Sequence, residues 1–155
     1  QDIPPPYILV GHSFGGTYME LFARAHPEEV AGLVLVDSRP SDFLAECESA
    51  GLDVCGVPSA QVEAKGGVFA AEYTAFAEAS EEMMAAGTFG AYPVRVLTAT
   101  RRAGKSPERM ALWTSMHASL AEEAEDGAQI RVRGGHYLQV FHARKVAEVI
   151  RGLLP

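Results

Sequence analysis

The chain has 155 residues, 48% of them hydrophobic and 21% charged, which is enough apolar material for one domain with a buried core. Thirteen Lys and Arg against 20 Asp and Glu give a net charge of -7, and without a basic run this argues against nucleic acid or an anionic membrane as partner. No apolar run is long enough for a transmembrane helix, and no signal peptide is visible.

Taken in chain order, Tyr7 to Val10 is a continuous apolar run after three prolines and reads as a buried strand. Gly11-His12-Ser13-Phe14-Gly15-Gly16 follows. Tyr18, Leu21, Phe22 and Ala25 then recur at helical spacing until Pro27 stops the helix. Gly32 to Val36 is a second buried strand, ending at Asp37. Residues 38–92 contain no convincing strand but a helical middle, roughly 60–86; a stretch this long between strands suits a lid. Val94 to Leu97 is a third strand. Ser106-Pro107-Glu108 starts a helix with a hydroxyl cap, a first-position proline and an early acid. Its stripe is Met110, Trp113, His117, Leu120 and Ala124, and Gly127 is expected to end it. Gln129 to Arg133 is a fourth strand, Gly134-Gly135-His136 a loop, and Val146, Val149, Ile150 and Leu153 mark a last amphipathic helix. Strands alternating with helices imply a parallel α/β sheet of about four strands with helices on its faces.

Cys47 and Cys55 are too few for a disulfide scaffold, although one loop-closing bridge is compatible with their spacing. The five histidines are scattered and no Cys/His cluster has metal-ligand spacing, so neither a metal nor another cofactor is expected.

Gly11-His12-Ser13-Phe14-Gly15 fits G-x-S-x-G between a strand and a helix, the context that motif requires. The sharp turn should leave Ser13 strained and exposed at the carboxyl end of the sheet, with Gly11 and Gly15 keeping the turn clear of side chains. The helix that starts there points backbone N–H groups at developing negative charge, and the Phe14 N–H is the expected oxyanion donor.

From this strand onward the chain resembles the α/β-hydrolase family, on the Gly11 to Gly16 elbow and on Gly134-Gly135-His136. The resemblance divides one domain, 1–155, into core segments 1–37 and 93–155 and a helical cap at 38–92. It implies Ser13 as nucleophile, His136 as base and a carboxylate to orient the base. The family often carries that acid after the strand matching Val94 to Leu97, but here Thr98-Ala99-Thr100-Arg101-Arg102 has no carboxylate before Glu108. A family variant places it one strand earlier, where Asp37 stands. Asp37 is the first candidate, with Asp42 and Glu108 as alternatives and a dyad without an acid as the remaining one. His12 adjoins the nucleophile and is read as a packing or pocket residue, His117 as a packed histidine, and His26 and His142 as surface residues.

The implied activity is serine hydrolysis of carboxylic esters through an acyl-enzyme. A serine nucleophile argues against epoxide and haloalkane hydrolysis. Phe43, Leu44, Val68, Phe69, Tyr73, Phe76, Met83, Met84 and Phe89 in the insertion suit either an apolar acyl pocket or the cap's own packing. The expected substrate is therefore a small ester with an apolar acyl group. A full family member has strands and helices before the nucleophile strand, and an upstream loop with a second oxyanion donor; here only six residues precede Tyr7. A fragment, one chain of a two-chain enzyme and a minimal hydrolase all fit, as does a non-catalytic binding or assembly module. The open side of the Tyr7 to Val10 strand then predicts a homodimer, or a complex with the missing N-terminal half.

Overall fold

Leu33, Val34, Leu35 and Val36 are essentially inaccessible to solvent, and the strand they form is the centre of the structure. The computed structural model describes residues 3–52, 55–57 and 59–154, apart from the side chains of Ala77 and Met84. Four parallel strands lie in the order β1 (Tyr7–His12), β2 (Val30–Val36), β3 (Val94–Ala99) and β4 (Gly127–Val132). Side chains alternate across a strand, so β2 feeds two cores at once. Leu33 and Leu35 pack with Ala23, Val94, Val96 and Leu120 on one face. Val34 and Val36 pack with Leu97, Ala99, Leu138, Val146 and Val149 on the other.

The helices cover these faces. α1 (Phe14–Ala25) ends just before Pro27, and a short 3-10 turn (Pro27–Glu29) leads into β2. After α2 (Phe43–Ser49), two helices, α3 (Ser59–Lys65) and α4 (Gly67–Ala85), stand where the sequence suggested a single helical middle at about 60–86. The break falls at Gly66 and Gly67, both in the left-handed region at φ 54°, which glycine adopts without steric cost. Phe89 and Tyr92, at the insertion's end, join the main core. α5 (Pro107–Glu122) begins as its sequence predicts, the Ser106 hydroxyl accepting the Arg109 N–H at 3.2 Å. Gly127 does not end α5, which stops five residues earlier; it opens β4, where a side chain would collide with the Ala121 carbonyl. α6 (Leu138–Phe141) and α7 (Ala143–Arg151) close the chain.

Cys47 and Cys55 are disulfide-bonded, tying α2 to residues 55–57. Phe43, the disulfide and Trp113 make a third, smaller core. Strand register sets where the chemistry falls: His12 pairs with Val36, and Val36 with Leu97. The residues that follow β1 and β2, Ser13 and Asp37, therefore emerge at the same carboxyl edge, where open α/β sheets bind ligands.

Candidate active site

The turn from β1 into α1 holds Ser13 at φ 55° and ψ −126°, a conformation costly for any residue with a side chain. Neighbouring hydrogen bonds hold it there: Ser13 N–H donates to Val36 O at 3.3 Å and Gly16 N–H to Ser13 O at 3.0 Å. A Cβ on Gly11 would lie 2.5 Å from Gly15 O and from Gly16 Cα, and one on Gly16 would strike Ser38 Cβ. Gly11 and Gly16 are thus the sterically required glycines. Gly15, assigned that role in the sequence, has open space around its Cα. Phe14 is the first residue of α1, so no carbonyl of its own helix can accept its N–H, which points outward from the helix start.

Asp37 follows β2 at φ 44°, with its side chain fully buried. Its Oδ1 accepts the Ala99 N–H at 3.0 Å and the Trp113 Nε1–H at 2.9 Å. Its Oδ2 accepts from His136 Nδ1 at 2.7 Å, with Arg102 Nε 3.6 Å away. Burial alone would raise this carboxyl. The His136 bond, the Arg102 charge and the Trp113 and Ala99 donors outweigh it and hold Asp37 below the ordinary carboxylate range. Arg102 is itself drawn down, by burial first, and its guanidinium lies 4.1 Å from the centre of the Trp113 ring.

His136 sits in the loop after β4, which turns through Gly134 and Gly135. With Nδ1–H given to Asp37, its Nε2 lone pair faces Ser13 Oγ at 3.1 Å. His12 supports the loop from below: its Nε2–H donates to the His136 carbonyl at 3.0 Å, and the two rings are 4.5 Å apart. Burial lowers the His12 pKa, which keeps that ring neutral. His117 is packed as expected, but it also belongs to a polar chain under Asp37. Gln129 donates to Thr98 Oγ1, Thr98 Oγ1 donates to His117 Nδ1 at 2.8 Å, and His117 Nε2 donates to Ser38 O at 2.8 Å. His26 is exposed, while His142 is half-buried against Gly134.

Among the described residues, Asp37 is the carboxylate bonded to His136. Asp42 is exposed at the start of α2 and lines a different cavity; Glu108 is exposed in the first turn of α5. The three residues named from the sequence, Ser13, Asp37 and His136, lie within hydrogen-bond distance of one another in series, whereas the contacts of Trp113 and Arg102 with Asp37 had no sequence signal beyond a helical stripe and a basic pair where an acid was expected. Of the insertion's apolar residues, Phe76, Met83 and Phe89 are buried and Val68 is exposed. The Met84 side chain lies outside the described residues. Phe76 stacks on Phe14 at 4.3 Å, and Phe43 reaches the cavity at Ser13. That cavity, of about 200 Å³, is also lined by Val57, Trp113, Arg39, Arg102, Lys105 and Arg109.

A family model described as the alpha/beta hydrolase fold matches residues 2–110. A 37-residue stretch, 24% of this chain, is 49% identical to an uncharacterized protein of Schizosaccharomyces pombe but spans only 7% of it. Among solved structures, alpha/beta hydrolase domain-containing protein 10 from mouse overlays 99% of this chain and 62% of its own, with TM-score 0.59 and 20% identity. A monoacylglycerol lipase of Paleococcus ferrophilus overlays 96% of this chain and 68% of its own, with TM-score 0.57 and 16% identity. An N-acyl homoserine lactone degrading enzyme overlays 97% and 68%, with TM-score 0.54 and 16% identity. At these identities the likeness is one of fold.

Proposed function

The chain belongs to the α/β-hydrolase family, and from that premise we propose that it is a serine hydrolase of small carboxylic esters. The observation that carries this reading is the unbroken hydrogen-bond line from Asp37 Oδ2 through His136 to Ser13 Oγ, at 2.7 and 3.1 Å. In the reaction, Ser13 Oγ bonds to the ester carbonyl carbon as its proton passes to His136 Nε2. The carbonyl electron pair moves to oxygen, where the Phe14 N–H stabilises it. Collapse breaks the carbon–oxygen bond to the alcohol, which leaves with the proton from Nε2. Water repeats the sequence on the acyl-enzyme and releases the acid. Asp37 holds the Nδ1–H tautomer and stabilises the imidazolium while it exists. The substrate is a small ester, and residues 38–92 serve as its cap.

Fluorophosphonate labelling tests the assignment. One phosphonyl group should add to the protein, detected by intact mass, and none to Ser13→Ala. That variant should also lose p-nitrophenyl acetate turnover by roughly a thousandfold or more, as should His136→Ala, because the two groups act as a unit. A folded wild-type sample that takes no label would replace this reading with that of a binding or assembly module.

A further inference from the structure

Four of the chain's 13 Lys and Arg meet at one cavity, and it is the cavity that contains Ser13. They come from separate places: Arg39 from the segment after β2, Arg102 and Lys105 from the loop after β3, and Arg109 from the first turn of α5. No Asp or Glu is among the described residues that line it. Asp37, which is not part of that lining, is engaged by His136, Trp113 and Ala99 and also pairs with Arg102 at 3.6 Å, so Arg102 is already partly compensated. The protein as a whole is acidic, so this local excess of positive charge runs against the chain's net balance.

The cations are held in place by other structure. Arg39 N–H donates to Ser13 O at 3.3 Å, and Arg39 O accepts from Thr17 Oγ1 at 2.9 Å, which anchors its backbone to the elbow itself. Its guanidinium lies 5.0 Å from the centre of the Phe76 ring, and its buried Nε has no hydrogen-bond partner. Arg109 Nη2 donates to Cys55 O. Burial and mutual repulsion draw Lys105 and Arg109 below their ordinary values: Arg109 and Arg102 act on Lys105, and Arg102 and Arg39 on Arg109. Like charges gathered around a concave space next to a nucleophile are favourable once an anion sits among them. Apolar walls from Phe14, Phe43 and Val57 leave room for a short stem between the carbonyl and that anion.

We propose that the ester cleaved here carries an anionic group, such as a carboxylate, a few atoms from the scissile carbonyl, held by Arg39 and Lys105. The inference rests on Ser13 being the nucleophile. A volume of about 200 Å³ suits a short acidic chain rather than a long fatty one.

Two matched ester pairs test it. Mono-p-nitrophenyl adipate against p-nitrophenyl hexanoate places the charge on the acyl side. 4-Acetoxybenzoate against its methyl ester places it on the leaving side. The wild-type protein should favour the anionic member of one pair by about tenfold or more in kcat/KM, and that pair identifies the side. The anionic-to-neutral ratio should fall about tenfold in Lys105→Met and should also fall as salt is raised. Neutral esters turned over as well as or better than their anionic partners in both pairs would overturn the inference and leave the hydrolase reading intact. A ratio unchanged by Lys105→Met would overturn it too. No turnover of any ester, with no fluorophosphonate label on Ser13, would remove the hydrolase reading and this inference with it. The wild-type ratios decide the question even if the variant does not fold.

Discussion

Trp113 Nε1 donates a hydrogen bond to Asp37 Oδ1 at 2.9 Å, so the indole of α5 fixes the carboxylate whose other oxygen holds His136. Asp37 stands immediately after β2, and the Ala99 N–H braces the same Oδ1 from the end of β3. One carboxylate thereby collects a strand edge, a helix and the histidine loop. Removing the indole donor leaves Asp37 Oδ1 held by the Ala99 N–H alone and so loosens the carboxylate. Trp113→Phe should lower kcat about tenfold with KM little changed. Asp37→Asn should cost far more, on the order of a thousandfold or more, because an amide can present its NH₂ to Nδ1 and select the wrong tautomer. Ester hydrolysis rates of the two variants check this order, and an Asp37→Asn rate near that of the wild type would remove Asp37 from the site.

His12 acts on the base through the backbone. Its Nε2–H bond to the His136 carbonyl sets the loop's height beneath Ser13. His12→Phe keeps a ring for packing and deletes the donor, so kcat should fall several-fold to about tenfold while fluorophosphonate labelling continues slowly. His12→Asn, which can still donate, should recover part of the rate. A variant pair with identical rates would mean that the ring only packs.

Glu20 on α1 offers a test by pH. It is buried, and burial raises its carboxyl to about 7 from an ordinary 4.5, against the pull of Arg24. Arg24 Nη2 bonds both Glu20 Oε1 at 2.9 Å and Glu123 Oε2 at 2.6 Å. A carboxyl raised in the folded state contributes stability that is fully present below 4.5 and lost as pH rises through about 7. Glu20→Gln keeps an acceptor for Arg24 and removes that titration. Relative to wild type it should therefore gain stability from pH 4.5 to 8, on the order of 2 kcal/mol in urea unfolding. Asp37 acts with the opposite sign: its carboxyl is held low, so its contribution is present above its ordinary 3.8 and disappears as pH falls through the folded value. A stability difference between Glu20→Gln and wild type that stays flat over pH 4 to 8 would contradict the Glu20 assignment.

What the sequence made legible follows the range of each signal. Ser13 stood out because the elbow motif, its strand and its helix are contiguous. Asp37 was findable as the acid that closes an apolar strand. Trp113 was not, because a stripe at helical spacing shows which face is buried and not which polar atom the indole meets. Gly127 misled because glycine suits both a helix end and a tight approach to another backbone; here the Ala121 carbonyl decides. Gly15 and Gly16 are adjacent, and only the position of Ser38 tells which one must lack a side chain. The cations around Ser13 are spread from position 39 to 109, so nothing local in the sequence announces that they meet.

β1 pairs with β2 along one side and is the outermost strand of the described sheet. Its other side presents backbone N–H and C=O groups to whatever lies there, and exposed parallel edges are templates for a further strand. The flanking surface is apolar as well: Ile3 is 70% exposed, Val10 40% and Tyr18 36%. Pro4, Pro5 and Pro6 blunt only the approach to the strand, since proline cannot donate there. Expressed as these 155 residues, the chain should pair β1 with β1 of a second copy about a two-fold axis, continuing the sheet in antiparallel fashion. Light scattering at micromolar concentration should then give about twice the 16.6 kDa chain mass. Val10→Lys places a charge on the edge strand without disturbing the buried face of β2, and should shift the sample to monomer. An added strand that pairs along the open side of β1 should do the same, because it competes for the same backbone groups. A wild-type sample that stays monomeric at high concentration would mean that the Tyr7–His12 edge is not a pairing surface.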